Sequence, residues 1–331
     1  MREAILEGKR KFVVRDAPEP ILADDEVLIN VQYCGICGSD LLTYLEGVSI
    51  RHGHEFSGDI VEVGAGVRGW QIGDRVTAES SSSCGECYWC KRGEMGLCED
   101  FLVTWNQIPG AFATHTKSKY HRLHRLPPEM SYEEAALVEP TAVALHAVRL
   151  SEMGVGDVVA VLGLGSIGQL LARLAKISGA RAVYATEASQ SRLELAGGAV
   201  DEVIDVNVAD PVDRILELTG GRGPDVVFEC AGAISTTQQA VALVRKGGTI
   251  VLAGVSLYPV ETFVSNIVLR EVTLKGSMLF HSAEFATALS LIRDKRIDVA
   301  PLITSVMPLD DINEAFEMAV RGEGGKILIR P

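Results

Sequence analysis

The sequence predicts an α/β protein built from a barrel-like β domain and a doubly wound parallel-sheet domain. Three observations carry that expectation. Up to about residue 150, short alternating apolar segments are punctuated by glycine, whereas from about Val155 apolar runs alternate with segments of helical period. The motif Gly163-Leu164-Gly165-Ser166-Ile167-Gly168 directly follows the apolar run Val158–Leu162 and opens a helical stretch. Four of the seven cysteines, Cys84, Cys87, Cys90 and Cys98, fall within the run CGECYWCKRGEMGLC. A chain of 331 residues suits two domains.

Taken in order, residues 26–33, 56–63 and 74–79 read as strands of an antiparallel barrel, with turns at Gly64, Gly66 and Gly69. The cysteine spacing C-x2-C-x2-C-x7-C then lets four sulfurs converge on one tetrahedral ion. Thiolates are soft ligands suited to zinc, and four of them close its shell, so this ion would be structural. Two disulfides are the alternative. They require an oxidising compartment, and no secretory signal pattern is found in residues 1–15. Cys34 and Cys230 read as small buried residues, and, His54 apart, His146 and the other histidines as structural.

In the second half, Val158–Leu162 is a buried strand. The helix after it has apolar positions Leu170, Leu171, Leu174 and Ile177. Further strands are predicted at 182–186, 203–205, Val226–Glu229, 249–253 and 272–275, the alternation of a parallel sheet covered on both faces. A tail helix places Ile312, Ala315, Phe316, Ala319 and Val320 on one face, and Asp311 with Glu314 suggests a capping box at its start.

The glycine motif is a dinucleotide fingerprint. Gly163 permits the tight turn, Gly165 lets backbone approach a pyrophosphate, and Gly168 lets helix and strand pack closely, with Ser166 and Ile167 at the helix N-terminus that faces the phosphates. Glu187 ends the next strand, nineteen residues past Gly168, where a carboxylate accepts ribose hydroxyls and repels a 2′-phosphate. Arg192 is the competing signal, since an arginine there tolerates that phosphate or stacks on adenine. The balance favours NAD over NADP.

Composition narrows the partners. With a net charge of −13 and 47% hydrophobic residues, the chain lacks the clustered basic residues that a nucleic-acid backbone or anionic membrane surface requires. Its basic clusters, 9–11 and 117–125, are short, and no apolar run approaches the ~18 residues of a membrane span. A cytoplasmic protein acting on a small molecule is expected, with neither nucleic acid nor membrane as partner.

The first domain holds a second constellation, in CGICGSD at 34–40, GHEFSG at 53–58 and VEP at 138–140. A thiolate, an imidazole and one carboxylate would give zinc three ligands and leave the fourth position open, the mark of a catalytic site. Together with GDRV at 73–76, the cysteine lobe, VEPTAVALHAV at 138–148, GLGSIG at 163–168, FECAG at 228–232 and KGS at 275–277, these segments span nearly the whole chain. The chain resembles the zinc-dependent medium-chain alcohol dehydrogenase family, most of all its polyol (sorbitol-type), butanediol and threonine dehydrogenase branch.

That resemblance implies a GroES-like catalytic domain at 1–149 and 279–331, carrying the zinc lobe at 84–98, and a Rossmann domain at 150–278, with the active site in the cleft. It implies two zinc ions per subunit, one catalytic and one structural. Cys37 and His54 are catalytic zinc ligands by this likeness, Glu55 and Glu139 compete for the third place, and Asp40 would accept the other ring N–H of His54. Ser39 would take the alcohol proton and pass it to the nicotinamide ribose. Ala231, Gly254, Val255, Met278 and Leu279 would add cofactor contacts. A homo-oligomer, dimer or tetramer, is expected.

Three departures bear on substrate. Leu42 stands where many members have a relay histidine, the run Ser277-Met278-Leu279-Phe280 lacks the arginine of sorbitol-type members, and only thirteen residues separate Asp40 from His54. The expected reaction is NAD-linked interconversion of a secondary alcohol, in a polyol or vicinal diol, and its ketone. L-threonine 3-dehydrogenase and butanediol dehydrogenase are alternatives with the same chemistry. A catalytically silent NAD-binding zinc protein is the alternative of another class.

Overall fold

One long strand, Glu26–Gly35, organises the first half of the molecule and, through its register, the candidate metal-binding residues. The computed structural model describes residues 1–50, 52–79, 83–101 and 109–331. Its contacts divide the chain into two units, Met1–Glu139 with His281–Pro331, and Pro140–Phe280. The sequence placed the first break at 149/150. The helix Val138–Ser151 runs through the observed boundary as one piece, so the change of hydrophobic period marks its end rather than the break.

In the first unit Glu26–Gly35 pairs antiparallel with Glu55–Val63, His115–Lys119 and Lys326–Arg330. Arg75–Ala78 and Leu123–Arg125 extend the sheet beyond Glu55–Val63. Its inward residues Val27, Ile29, Val31, Phe56 and Ile60 form a core closed by the rings of Phe12, Tyr44, Phe112 and Phe316. The sheet is not wholly antiparallel as expected, because Ile303–Pro308 runs parallel to Lys326–Arg330. Parallel neighbours need a crossover, and the helix Ile312–Val320 supplies it. Ile312, Ala315 and Phe316 of that helix are buried, while Ala319 and Val320 are only partly so. Asp311 makes no side-chain cap bond, since a 3₁₀ turn, Leu309–Asp311, already leads the chain into the helix.

The second unit is a six-stranded parallel sheet in the spatial order Glu202–Asp205, Ala182–Glu187, Val158–Leu162, Val226–Glu229, Thr249–Leu252, Thr273–Gly276. Numbered along the unit, that is 3-2-1-4-5-6, the doubly wound order whose reversal lies between the first and fourth strands. All five residues of Val158–Leu162 are buried, as a central strand covered on both faces requires. The last strand, read from sequence as buried, is largely exposed, because it lies at the sheet edge. Helix Ser166–Ile177 buries Leu170, Leu171 and Leu174, but Ile177, at its final position, turns outward. Among the described residues no helix is long and apolar enough to cross a membrane.

Candidate metal and dinucleotide sites

Strand register brings the first candidate site together. Gly35 lies opposite Glu55 on one side and Leu328 on the other, so the strand end leading to Cys37 adjoins His54-Glu55 and the start of Lys326–Arg330. A Cβ on Gly35 would sit 2.2 Å from Glu55 Oε2, so only glycine lets that carboxylate lie across the central strand. Cys37 precedes the helix Gly38–Glu46, and its N–H donates to Asp40 Oδ2 at 3.2 Å. Gly53, at φ +79° with Phe112 N only 2.6 Å from any added Cβ, gives the tight approach to His54.

Ligand atoms of Cys37, His54 and Glu55 all lie within 4.8 Å of one another. Glu139 is outside that group, in the first turn of Val138–Ser151, and is equally buried. Asp40 departs from expectation. Its Oδ1 stands 3.7 Å from His54 Nδ1, too far for a hydrogen bond, because its oxygens accept from the backbone N–H groups of Cys37 and Gly53 (3.3 Å). Asp40 therefore ties together the two turns that carry Cys37 and His54. Ser39 is exposed at the start of the helix.

Sequence reasoning missed Lys326. Its buried ammonium donates to Glu55 Oε2 at 2.5 Å and to the Ile36 carbonyl at 3.0 Å, and both side chains of the pair are almost wholly excluded from solvent. The available signal was a lysine opening the apolar strand Lys-Ile-Leu-Ile, a cation that burial obliges to find a carboxylate.

The electrostatics test whether zinc suits this place. The thiol of Cys37 and the carboxyl groups of Asp40 and Glu139 surround His54, and Lys326 lies against Glu55. Burial pulls the His54 imidazole down, but Asp40, Cys37 and Glu139 outweigh it and push the group up to about 10. Burial likewise opposes the charge on Lys326, and Glu55, Cys37 and Glu139 raise its pKa regardless. So many acidic groups gathered in one buried place suit a cation, and the sulfur, nitrogen and oxygen donors are those of a zinc site.

The cysteine lobe passes a geometric test. Tetrahedral zinc with Zn–S of ~2.3 Å sets neighbouring sulfurs about 3.8 Å apart. Cys84 Sγ lies 3.6 Å from Cys98 Sγ and 3.9 Å from Cys90 Sγ, and all four thiols lie within 4.8 Å of one another. Backbone N–H groups of Cys84 and Cys87 point at the sulfurs of Cys98 and Cys84. Gly85 and Gly93 make the lobe's turns at φ near +80°. Of the other two cysteines, Cys34 is buried as expected, and Cys230 is partly exposed.

In the second unit the candidate cofactor residues Gly163, Glu187, Ala231, Gly254 and Met278 all lie at or just beyond carboxyl ends of parallel strands, where open α/β sheets bind ligands. A Cβ on Gly168 would strike the Gly163 carbonyl at 1.9 Å, so close helix–strand packing requires glycine there. Among the described residues an added Cβ on Gly165 would meet only Arg192 Nη1, at 3.8 Å, at the start of Ser166–Ile177. Ala231 packs 3.1 Å from the place of a Gly163 Cβ, and Gly254 presses against Gly232 N. Val255 and Met278 are exposed, and Leu279 takes φ +54°. Glu187 Oε2 accepts from Leu164 N at 2.8 Å and Oε1 from Ala188 N and Ser189 N, fixing the carboxylate beside the glycine loop. A cradle with an open glycine at a helix N-terminus and a carboxylate on the next strand fits a dinucleotide.

Comparison with known proteins adds to this geometry. Residues 23–128 match the family described as alcohol dehydrogenase GroES-like domain, and residues 166–294 the family described as zinc-binding dehydrogenase. A sorbitol dehydrogenase of Halalkalibacterium halodurans is 36% identical over 98% of this chain and 97% of its own. The 2R,3R-butanediol dehydrogenase structure from Bacillus subtilis superposes with a TM-score of 0.89 at 34% identity, covering 100% of this chain and 99% of its own. A structure from Sinorhizobium meliloti bound to NADP gives 0.92 at 30% identity, covering 100% and 99%.

Proposed function

The chain belongs to the zinc-dependent medium-chain alcohol dehydrogenases, and on that premise we propose that it interconverts a secondary alcohol of a polyol or vicinal diol and the corresponding ketone, with NAD as the hydride carrier. The observation that carries the reading is the convergence of Cys37, His54 and Glu55 beside buried Glu139.

Cys37, His54 and Glu55 would hold the catalytic zinc, with Glu139 adding negative charge beside it. When bound, zinc supplies the Lewis acidity that lowers an alcohol's pKa, and the nicotinamide supplies the hydride acceptor. Lys326 orients Glu55 by occupying Oε2, and Asp40 holds the Cys37 and His54 turns at fixed separation. Ser39, exposed two residues past Cys37, is the group to receive the substrate proton. Leu42 has no group to carry that proton further. Cys84, Cys87, Cys90 and Cys98 would hold a second, structural zinc, for which the sulfur spacing is the support.

A small vicinal diol is the narrower reading. The run Ser277-Met278-Leu279-Phe280 offers no fixed cation for a long sugar alcohol, and the likeness to a butanediol dehydrogenase spans the whole chain. Reduction of NAD⁺ measured over a panel of vicinal diols, sugar alcohols and L-threonine tests the proposal. Turnover highest with a diol is expected. Silence across the panel in protein holding two zincs would favour the catalytically silent alternative.

Glu187 supports NAD. Three of the roughly four acceptor positions of its carboxylate are taken by backbone N–H groups, which fix its negative charge beside the glycine loop, and that charge would disfavour a 2′-phosphate. Glu187→Ser is expected to shift the ratio of kcat/KM for NAD⁺ over NADP⁺ towards NADP⁺ by about tenfold or more, a change of roughly 1.4 kcal/mol. An unchanged ratio, or a wild type that prefers NADP⁺, would remove Glu187 from that role.

A further inference from the structure

Arg122 is buried to within 7% of its surface, at the end of the turn Tyr120–Arg122. A buried guanidinium normally finds a carboxylate. Among the described residues none pairs with this one, and its hydrogen bond goes from Nη2 to the neutral hydroxyl of Ser83, 3.1 Å away and next in sequence to Cys84. Glu79 is close by, its N–H donating to the Arg122 carbonyl, and its carboxylate also serves two other groups. Oε2 accepts from Ser282 Oγ at 2.7 Å, and Oε1 is 3.0 Å from His124 Nε2.

Through Ser83, next in sequence to Cys84, Arg122 also reaches the cysteine lobe. Burial works against the guanidinium's charge, and the groups whose charges favour it are Glu79, Cys90 and Cys98. A dication gripped by four thiolates is formally doubly negative, and that charge would sit at the edge of a partly buried lobe. We propose that Arg122 is the counter-charge of the four-thiolate zinc site, a positioning residue that keeps the loaded lobe seated on the sheet and retards loss of its metal. Arginine suits the place better than lysine, since its planar guanidinium is less strongly hydrated and loses less on burial. The inference rests on the lobe holding zinc.

Zinc release to a metallochromic chelator, followed on the whole loaded chain, tests it. Cys98→Ser identifies the phase that belongs to the lobe. Arg122→Gln keeps a donor for Ser83 but removes the charge, and Arg122→Lys keeps the charge. Arg122→Gln is expected to speed the lobe phase roughly 10–100-fold, the range for residues that support metal ligands, without altering the other phase. Arg122→Lys should recover most of the difference. Cobalt(II) in the lobe gives a second readout, and its thiolate charge-transfer band should shift in Arg122→Gln and return towards the wild-type position in Arg122→Lys. Lobe-phase release in Arg122→Gln within twofold of wild type, with an unmoved cobalt band, would overturn the proposal. A variant that folds poorly would show loss of both phases together, and then the Arg122→Lys comparison decides, with wild-type release supporting the charge role and release as fast as in Arg122→Gln overturning it. A wild-type chain with one zinc, whose count Cys98→Ser leaves unchanged, would instead refute the lobe as a metal site and the role of Arg122 with it.

Discussion

Cys37→Ser is expected to lower kcat/KM by at least about a thousandfold and to remove one of two zinc ions, while leaving the fold intact. A Lewis-acidic metal contributes several kcal/mol of transition-state stabilisation, and about 4 kcal/mol is a factor of a thousand. The fold should survive because what Cys37 contributes to it is backbone. Its N–H is held by Asp40, and the helix after it starts whether sulfur or oxygen follows Cβ. Serine is a poor zinc ligand at neutral pH because its hydroxyl does not ionise as a thiol does. Cys98→Ser should show the reverse, with the thermal midpoint lowered and the lobe's zinc lost, and turnover falling only as far as the lobe's disorder spreads. Steady-state kinetics on the best diol, metal analysis and thermal melts read all of this out. Equal losses of activity and zinc in both variants would mean that the two metal sites are not separable as argued.

The two sites differed in how much of them the sequence disclosed. The lobe was legible because its four cysteines are close in sequence, where spacing constrains geometry, and the sulfur separations agree with a tetrahedral ion. The dinucleotide cradle was legible for the same reason, as strand, glycines and helix are contiguous. The catalytic constellation is assembled by strand register instead. Residue types at 37, 54, 55 and 139 suggested zinc, and it takes the pairing of Gly35 with Glu55 and Leu328 to bring the Glu55 carboxylate within 4.8 Å of the Cys37 and His54 donors. Lys326 lies 271 residues from its partner in the chain, and no periodicity or spacing links the two. Asp40 was assigned to the right neighbourhood with the wrong bond, since the competing claims of two backbone N–H groups appear only when the turns are built. The parallel strand pair of the first unit was likewise hidden, because an apolar alternation does not record the direction of its neighbour.

Lys326→Met is expected to destabilise the first unit by about 3–5 kcal/mol, the usual cost of removing one partner from a buried ion pair. Methionine preserves most of the side-chain volume, so the loss comes from the Glu55 carboxylate and the Ile36 carbonyl left buried without their donor. Glu55 has little room to relieve this, because its Oε2 already lies where a Cβ of Gly35 would stand. Adding Glu55→Gln should recover part of the stability by making both partners neutral, and the double-mutant cycle then gives the coupling between them. The same pair of variants tests the ligand assignment. If Glu55 is the third ligand, Glu55→Gln alone weakens metal binding at the catalytic site, whereas Glu139→Gln retains the ion. Urea unfolding of the zinc-loaded and chelated forms, with metal counts on each variant, measures both effects. Unfolding of Lys326→Met at the wild-type midpoint would show that the pair does not anchor the carboxylate. Retention of both zincs by Glu55→Gln, with loss in Glu139→Gln, would move the third ligand to the helix Val138–Ser151 and leave Lys326 with a purely structural task.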